Sequence, residues 1–251
     1  MKTISIINLK GGVAKTVSSI NIAYTLVKEH GKRVLLIDND KQGNTSKFFQ
    51  LYNYEHDGIA ELLTDKSLDV DNVIQKTAYE GLDIITANMN LLRANKEILL
   101  DVSRPQQTRL RKKLEKVQDQ YDYCVIDNAP GIDMSVINAL VASDDVLVPV
   151  KIDKFAFDGL EQLVEQVEDV SDFNSDITFR GCFITMYQRN GVNTQGSEYL
   201  TSSDYPVFRT HIRKTVKVDE TTFAGKPLLD YRKSTAGADY VDLVNEYLEM
   251  C

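Results

Sequence analysis

The run Lys10-Gly11-Gly12-Val13-Ala14-Lys15-Thr16 follows directly on the apolar residues 4–7 and decides how the rest of this 251-residue chain is read. Gly11 and Gly12 can adopt backbone angles closed to other residues, so consecutive N–H groups can turn inward around an anion. Residues 16–30 carry apolar side chains at Ile20, Ala23 and Val27 and stop at Gly31. That pattern predicts a helix whose N-terminal dipole faces the same anion. Strand, glycine turn and helix in this order make a phosphate-binding loop, in which Lys15 reaches the β- and γ-phosphates and Thr16 offers a hydroxyl to Mg2+. The spacing is unusual. The common form, Gly, four residues, Gly-Lys-Ser/Thr, requires glycine at positions 9 and 14, where this chain has Leu9 and Ala14. Lys10 has no task in that common form.

Two further segments repeat the pattern of an apolar strand ending in a carboxylate. Asp38-Asn39-Asp40-Lys41-Gln42-Gly43-Asn44 follows the apolar residues 34–37, and Cys124-Val125-Ile126-Asp127 runs into Asn128-Ala129-Pro130-Gly131. Taken singly, an Asp in such a place could terminate a strand or cap a helix. Three such motifs in order argue for one site, because a γ-phosphate and its metal need one anion to coordinate the ion and another to orient the attacking water.

With the extra lysine, these motifs resemble the deviant Walker A ATPases of the ParA/MinD family, whose loop usually reads KGGVGKT and whose second motif usually reads DxDPQGN. The resemblance extends from Lys2 to the end of the chain. It implies that Lys10 crosses a homodimer interface to the nucleotide of the other subunit, and that Lys10, Gly11, Gly12, Val13, Ala14, Lys15, Thr16 and Val17 hold ATP. It further implies that Thr16 and Asp127 hold Mg2+, with Asp38 in its outer shell, and that Asp40 orients the water, so that Lys10, Lys15 and Asp40 form the catalytic set. Departures from the family pattern are Ala14 for glycine, Val17 for threonine and Lys41 for proline. Residues 186–190 match the adenine-contacting loop of the family only loosely.

The charge balance excludes a chain that coats nucleic acid over its whole surface: the net charge is −8. Any DNA contact must come from a local patch. One basic run, Arg109-Leu110-Arg111-Lys112-Lys113-Leu114-Glu115-Lys116, sits on a helical pattern with Leu110, Leu114 and Val117 as its apolar side, and reads as a solvated helix face. A second, residues 209–217, precedes Asp219-Glu220 and a Gly225-Lys226-Pro227 turn. It resembles the family segment whose basic side chains contact nucleoid DNA, which makes Arg209, Arg213, Lys214 and Lys217 the DNA-binding candidates. Cys124, Cys182 and Cys251 are widely spaced and imply neither a disulfide framework nor a metal pair. Apolar runs stay short of the ~20 residues that cross a bilayer, and the N-terminus enters a strand without a leader, so a cytoplasmic protein is expected.

Strand-like runs at 4–7, 34–37, 82–85, 124–126, 146–150 and 181–185 alternate with helical patterns. Near-continuous apolar strands separated by helices predict an α/β fold: one domain over residues 1–251, built on a doubly wound, mostly parallel sheet with helices on both faces. The three motifs then fall at carboxyl ends of strands, where such sheets bind ligands. The last helical pattern, 236–250, opposes an apolar side with Asp239, Asp242, Glu246 and Glu249. The MinD branch ends instead in a basic membrane-lying helix, so the acidic tail favours the ParA branch and no membrane. No segment precedes the first strand, and hence no helix-turn-helix domain of the larger plasmid ParA proteins is expected.

The function implied is ATP-dependent DNA partitioning. An ATP-bound sandwich dimer binds DNA nonspecifically on the nucleoid and is released when a ParB-like centromere-binding partner stimulates slow hydrolysis. The alternative on the same fold is an ATP-gated positioning or scaffold protein with little turnover. Cluster-carrying relatives of this fold need paired cysteines near the dimer axis, and none of the three here is so placed.

Overall fold

The structure is a computed structural model and describes residues 1–153 and 158–250. Eight strands form one sheet: β1 (Lys2–Ile6), β2 (Val34–Asn39), β3 (Ile74–Lys76), β4 (Leu82–Ile85), β5 (Tyr123–Asn128), β6 (Asp145–Lys151), β7 (Thr178–Tyr187) and β8 (Val207–Arg213). Their order is β3-β4-β2-β5-β1-β6-β7-β8. Among the described residues only the β3–β4 pairing is antiparallel. The connecting helices are α1 (Lys15–Lys28), α2 (Asn44–Phe48), α3 (Ile59–Thr64), α4 (Asn90–Leu100), α5 (Arg109–Leu114), α6 (Met134–Val141), α7 (Asp158–Val170), α8 (Gly191–Thr201), α9 (Lys217–Ala224) and α10 (Thr235–Glu249).

Alternation along the central strands explains the two layers. In β2, Val34 and Leu36 face the layer of α1 and α10, while Leu35 and Ile37 face that of α3 to α6, and all four are fully buried. A third cluster continues the second layer under β6 and β7, with Leu160, Leu163 and Val167 of α7 on Val146, Val148 and Ile184. Each strand of the sequence reading exists, and the fold class is the one expected. Two strands were not anticipated. β3 has three residues and pairs only at the sheet edge, and β8 occupies the segment read as a basic stretch.

That segment also alters the reading of the last helix. α10 covers the β8 edge, and its acidic side is not all turned to solvent. Glu246 accepts hydrogen bonds from the backbone N–H groups of Arg209 (2.7 Å) and Thr210 (3.0 Å) and from the Thr210 hydroxyl (2.9 Å), and Asp239 accepts from the N–H of Arg213 (2.8 Å). An edge strand exposes N–H groups that need acceptors, and two helix carboxylates supply them. The run 109–116 differs from expectation as well: Arg109 and Lys113 are buried rather than solvated. Cys124 and Cys182 are free and buried in separate clusters; Cys251 lies outside the described residues. Among the described residues no helix is long and apolar enough to cross a membrane.

Candidate nucleotide-binding site

The loop between β1 and α1 is shaped by Asn8. Its amide donates to the carbonyl of Pro149 (2.8 Å), and its side-chain oxygen accepts the N–H of Lys10 (2.9 Å), fixing the turn before the glycines. Gly12 and Ala14 both take left-handed backbone angles, φ 71° and 67°. Glycine accepts that conformation freely, whereas alanine holds it at a cost of about 1–2 kcal/mol. A Cβ at Gly11 or Gly12 would meet nothing within 4 Å, so both glycines open onto free space. Lys15 begins α1 and is buried; its ammonium donates to the carbonyls of Asn8 (2.9 Å) and Lys10 (2.7 Å). Burial lowers its pKa, while the nearby Asp127 and Asp40 pull the other way.

The carboxylates converge from adjacent strands. Asp38 of β2 and Asp127 of β5 are register partners, and both are buried. Asp127 accepts the hydroxyls of Thr45 (2.6 Å), Ser19 (3.1 Å) and Thr16, and Asp38 accepts the N–H (2.8 Å) and hydroxyl (2.7 Å) of Ser46. Burial pushes both carboxyl groups well above the usual range, and the charge of Asp127 adds to the rise at Asp38. A buried carboxylate pair of this kind is stabilised by a cation, and the surrounding donors are all hard oxygens. Asp40 sits in the turn after β2, half-buried, with its carboxylate capping the N–H of Gln42 (2.9 Å).

Lys10 is not among the residues that line the cavity beside this loop, and its ammonium contacts Asp153 of its own chain at 3.1 Å. The loop, Asp40 and Asn44 open into a cavity of about 640 Å3 whose far end is built by Met186, Gln188 and residues 212–216. The cavity is large enough for a nucleotide. Sequence reading singled out the glycine loop that lines one end of this cavity and missed much of the rest. Thr45 and Ser46, the hydroxyls that hold the two buried Asp residues, follow the second motif directly and were legible as a Thr-Ser pair at a helix start. Asp153 had no such signal.

The basic candidates are placed unequally. Arg213 lines the cavity and forks onto Asp239 (2.5 Å), Arg209 reaches Glu246 (3.5 Å) and Glu249 (3.9 Å), and Lys217 pairs with Glu220 (2.6 Å). Lys214 is exposed at the cavity rim.

Comparison with known proteins gives the family. A family model described as an AAA domain covers residues 1–179. The sporulation initiation inhibitor protein Soj of Bacillus subtilis is 36% identical over 98% of this chain and 97% of its own length. The chromosome partitioning protein ParA of Caulobacter vibrioides is 33% identical over 99% of this chain and 94% of its own. The chain belongs to the ParA/Soj family of partitioning ATPases. This ParA/Soj-family chain also superposes on the crystal structure of a Borrelia burgdorferi putative plasmid partition protein bound to AMPPNP. The TM-score is 0.84 at 25% identity, covering 100% of this chain and 99% of that one. Soj and ParA align along nearly the whole chain, so the family assignment takes in the second motif, the Asp127 strand and α10 as well as the loop.

Proposed function

We propose that this chain, acting as one unit over residues 1–251, is an ATPase that drives partitioning of a chromosome or plasmid through ATP-dependent dimerisation on DNA. The observation that carries the reading is the convergence of Lys15, Thr16 and Asp40 on the 640 Å3 cavity, with Asp127, which accepts the Thr16 hydroxyl, and its register partner Asp38 buried behind them. ATP is held by residues 10–17, where the left-handed angles at Gly12 and Ala14 and the α1 dipole suit phosphates. Mg2+, where bound, neutralises phosphate charge beside Thr16 and Asp127, with Asp38 behind them. Among the described residues no cluster of three or more His, Cys, Asp or Glu forms a metal cage, which suits an ion that keeps water and phosphate oxygens in its shell.

Asp40 orients the attacking water, and Lys10 of a second copy and Lys15 offset charge on the transferred phosphoryl group. Two triphosphates at one interface need cations from both subunits, so nucleotide controls the dimer. The paired subunits double the weak phosphate contacts made by Arg209, Arg213, Lys214 and Lys217, and DNA binding follows nucleotide state. A ParB-like centromere-binding protein then releases the dimer by stimulating hydrolysis, and the protein works in the cytoplasm on the nucleoid. Steady-state hydrolysis with DNA and partner present tests the enzyme reading. Wild type is expected to exceed Asp40→Ala by at least about a hundredfold. Equal rates would leave an ATP-gated scaffold instead.

A further inference from the structure

A second concave surface shares no lining residue with the nucleotide cavity. It is a pocket of about 330 Å3 between the end of α3 and the face of α5. Lys66, Arg104, Arg109, Lys112, Lys113 and Lys116 line it, together with Leu62, Leu63 and Pro105, and no carboxylate is among the lining residues. Three of these cations have structural work. Arg104 donates to the carbonyl of Thr64, Arg109 to that of Leu63, and Lys113 to those of Asp65, Lys66 and Leu68. Together they close the C-terminal end of α3, whose last carbonyls have no partner inside the helix. Asp101 serves both Arg104 and Arg109, and Asp69 reaches Lys116 at 3.4 Å.

Lys66 and Lys112 are different. Both are exposed, and neither makes an ion pair among the described residues. Leu99, Leu100 and Val102, exposed by 61%, 78% and 93%, flank Asp101, whose carboxylate holds Arg104 and Arg109 of the pocket lining. Three aliphatic side chains so exposed within four residues mark an interaction surface rather than ordinary scatter. We propose that this pocket and the exposed aliphatic residues flanking Asp101 bind an acidic segment of a partner protein, which sets a Glu or Asp carboxylate between Lys66 and Lys112 and a leucine-sized side chain against Leu100 and Val102.

Charge and shape favour this occupant over a nucleic-acid backbone. Phosphates gain nothing from burying Leu100 and Val102, and a chain of net charge −8 repels a polyanion beyond the local patch. A short acidic segment meets only the patch. The pocket also has an apolar portion from Leu62, Leu63 and Pro105, and its volume accommodates a side chain or two.

Fluorescence anisotropy of a short labelled peptide rich in glutamate and leucine, titrated with the full chain at low salt, tests the proposal. An all-glutamate peptide and a labelled DNA duplex run beside it. Wild type is expected to bind the glutamate–leucine peptide saturably and more tightly than the all-glutamate one. K66E/K112E should weaken that binding roughly tenfold or more, and L100S/V102S severalfold. All four positions are exposed, and an unchanged urea midpoint certifies that the variants are folded. Absence of saturable peptide binding, or variants that bind as wild type does, overturns the proposal. So does a duplex affinity that K66E/K112E abolishes while peptide binding stays, since the pocket is then a phosphate site.

Discussion

At the scale of single residues, Ala14 is the point of strain in the phosphate-binding loop. It holds φ 67° and precedes α1 as its N-cap without a side-chain hydrogen bond. Replacing it by glycine removes the left-handed penalty and adds back part of it as unfolded-state entropy, which leaves a gain of about 0.5–1 kcal/mol in favour of Ala14→Gly. Urea denaturation reads that difference directly, and a variant no more stable than wild type would show that the loop relieves the strain in another way. Ala14 also lines the cavity, so the substitution removes a methyl group from its wall as well as the backbone strain. Lys10 is the second residue whose state matters. Its partner Asp153 is in the same chain, and both side chains are partly exposed, 28% and 42%. A pair this accessible holds by about 1 kcal/mol or less, so Lys10 can leave it for a stronger anion at small cost.

At the scale of elements, α10 and β8 form a unit that neither makes alone. The outer N–H groups of a parallel edge strand lack acceptors, and Glu246 and Asp239 supply them from the helix laid across that edge. Burial tends to raise the Glu246 carboxyl, but the N–H groups of Arg209 and Thr210 and the Thr210 hydroxyl outweigh it and hold the group below its ordinary value of 4.5. A depressed folded-state value means stability that is complete above pH 4.5 and is lost as pH falls through the lower folded value. Glu246→Ala is expected to cost about 2 kcal/mol at neutral pH, because it strands two backbone donors. Glu246→Gln should shallow the acid limb of the stability curve. Chemical denaturation repeated from pH 7 to 3 checks both, and an acid limb unchanged in Glu246→Gln would remove Glu246 from its cause. The same pairing governs how the basic segment is used: Arg213 is forked onto Asp239, which offsets part of its charge while its side chain stays half exposed, so its phosphate contacts are weak ones.

At the scale of the whole molecule, the proposed switch depends on a second copy. If Lys10 supplies charge to the nucleotide of its partner, Lys10→Ala should still bind Mg-ATP as a monomer but fail to dimerise on it. Light scattering after size exclusion, with ATP, ADP and no nucleotide, measures that. DNA binding by Lys10→Ala across a salt series should then be the same in all three states, with the shallower slope of a single subunit making fewer phosphate contacts. A variant that dimerises normally with ATP would mean that Lys10 acts only within its own chain, as its contact with Asp153 now has it.

The sequence alone determined the parallel α/β core, since its buried strands are short apolar runs whose signal lies within a few residues, and β2 with all six residues buried is the clearest case. It also singled out the loop end of the cavity, because glycine, lysine and carboxylate motifs at strand ends are local patterns. Tertiary structure decided what local patterns do not encode. Asp153 meets Lys10 across 143 residues of chain, and Glu246 meets the β8 edge across 36 and 37. Arg109 and Lys113 turned inward because the carbonyls closing α3, some 46 to 48 residues earlier, needed donors. A charged side chain reads as solvent-facing until the fold brings unpaired backbone carbonyls against it, where its apolar stem is buried while its charged head satisfies them.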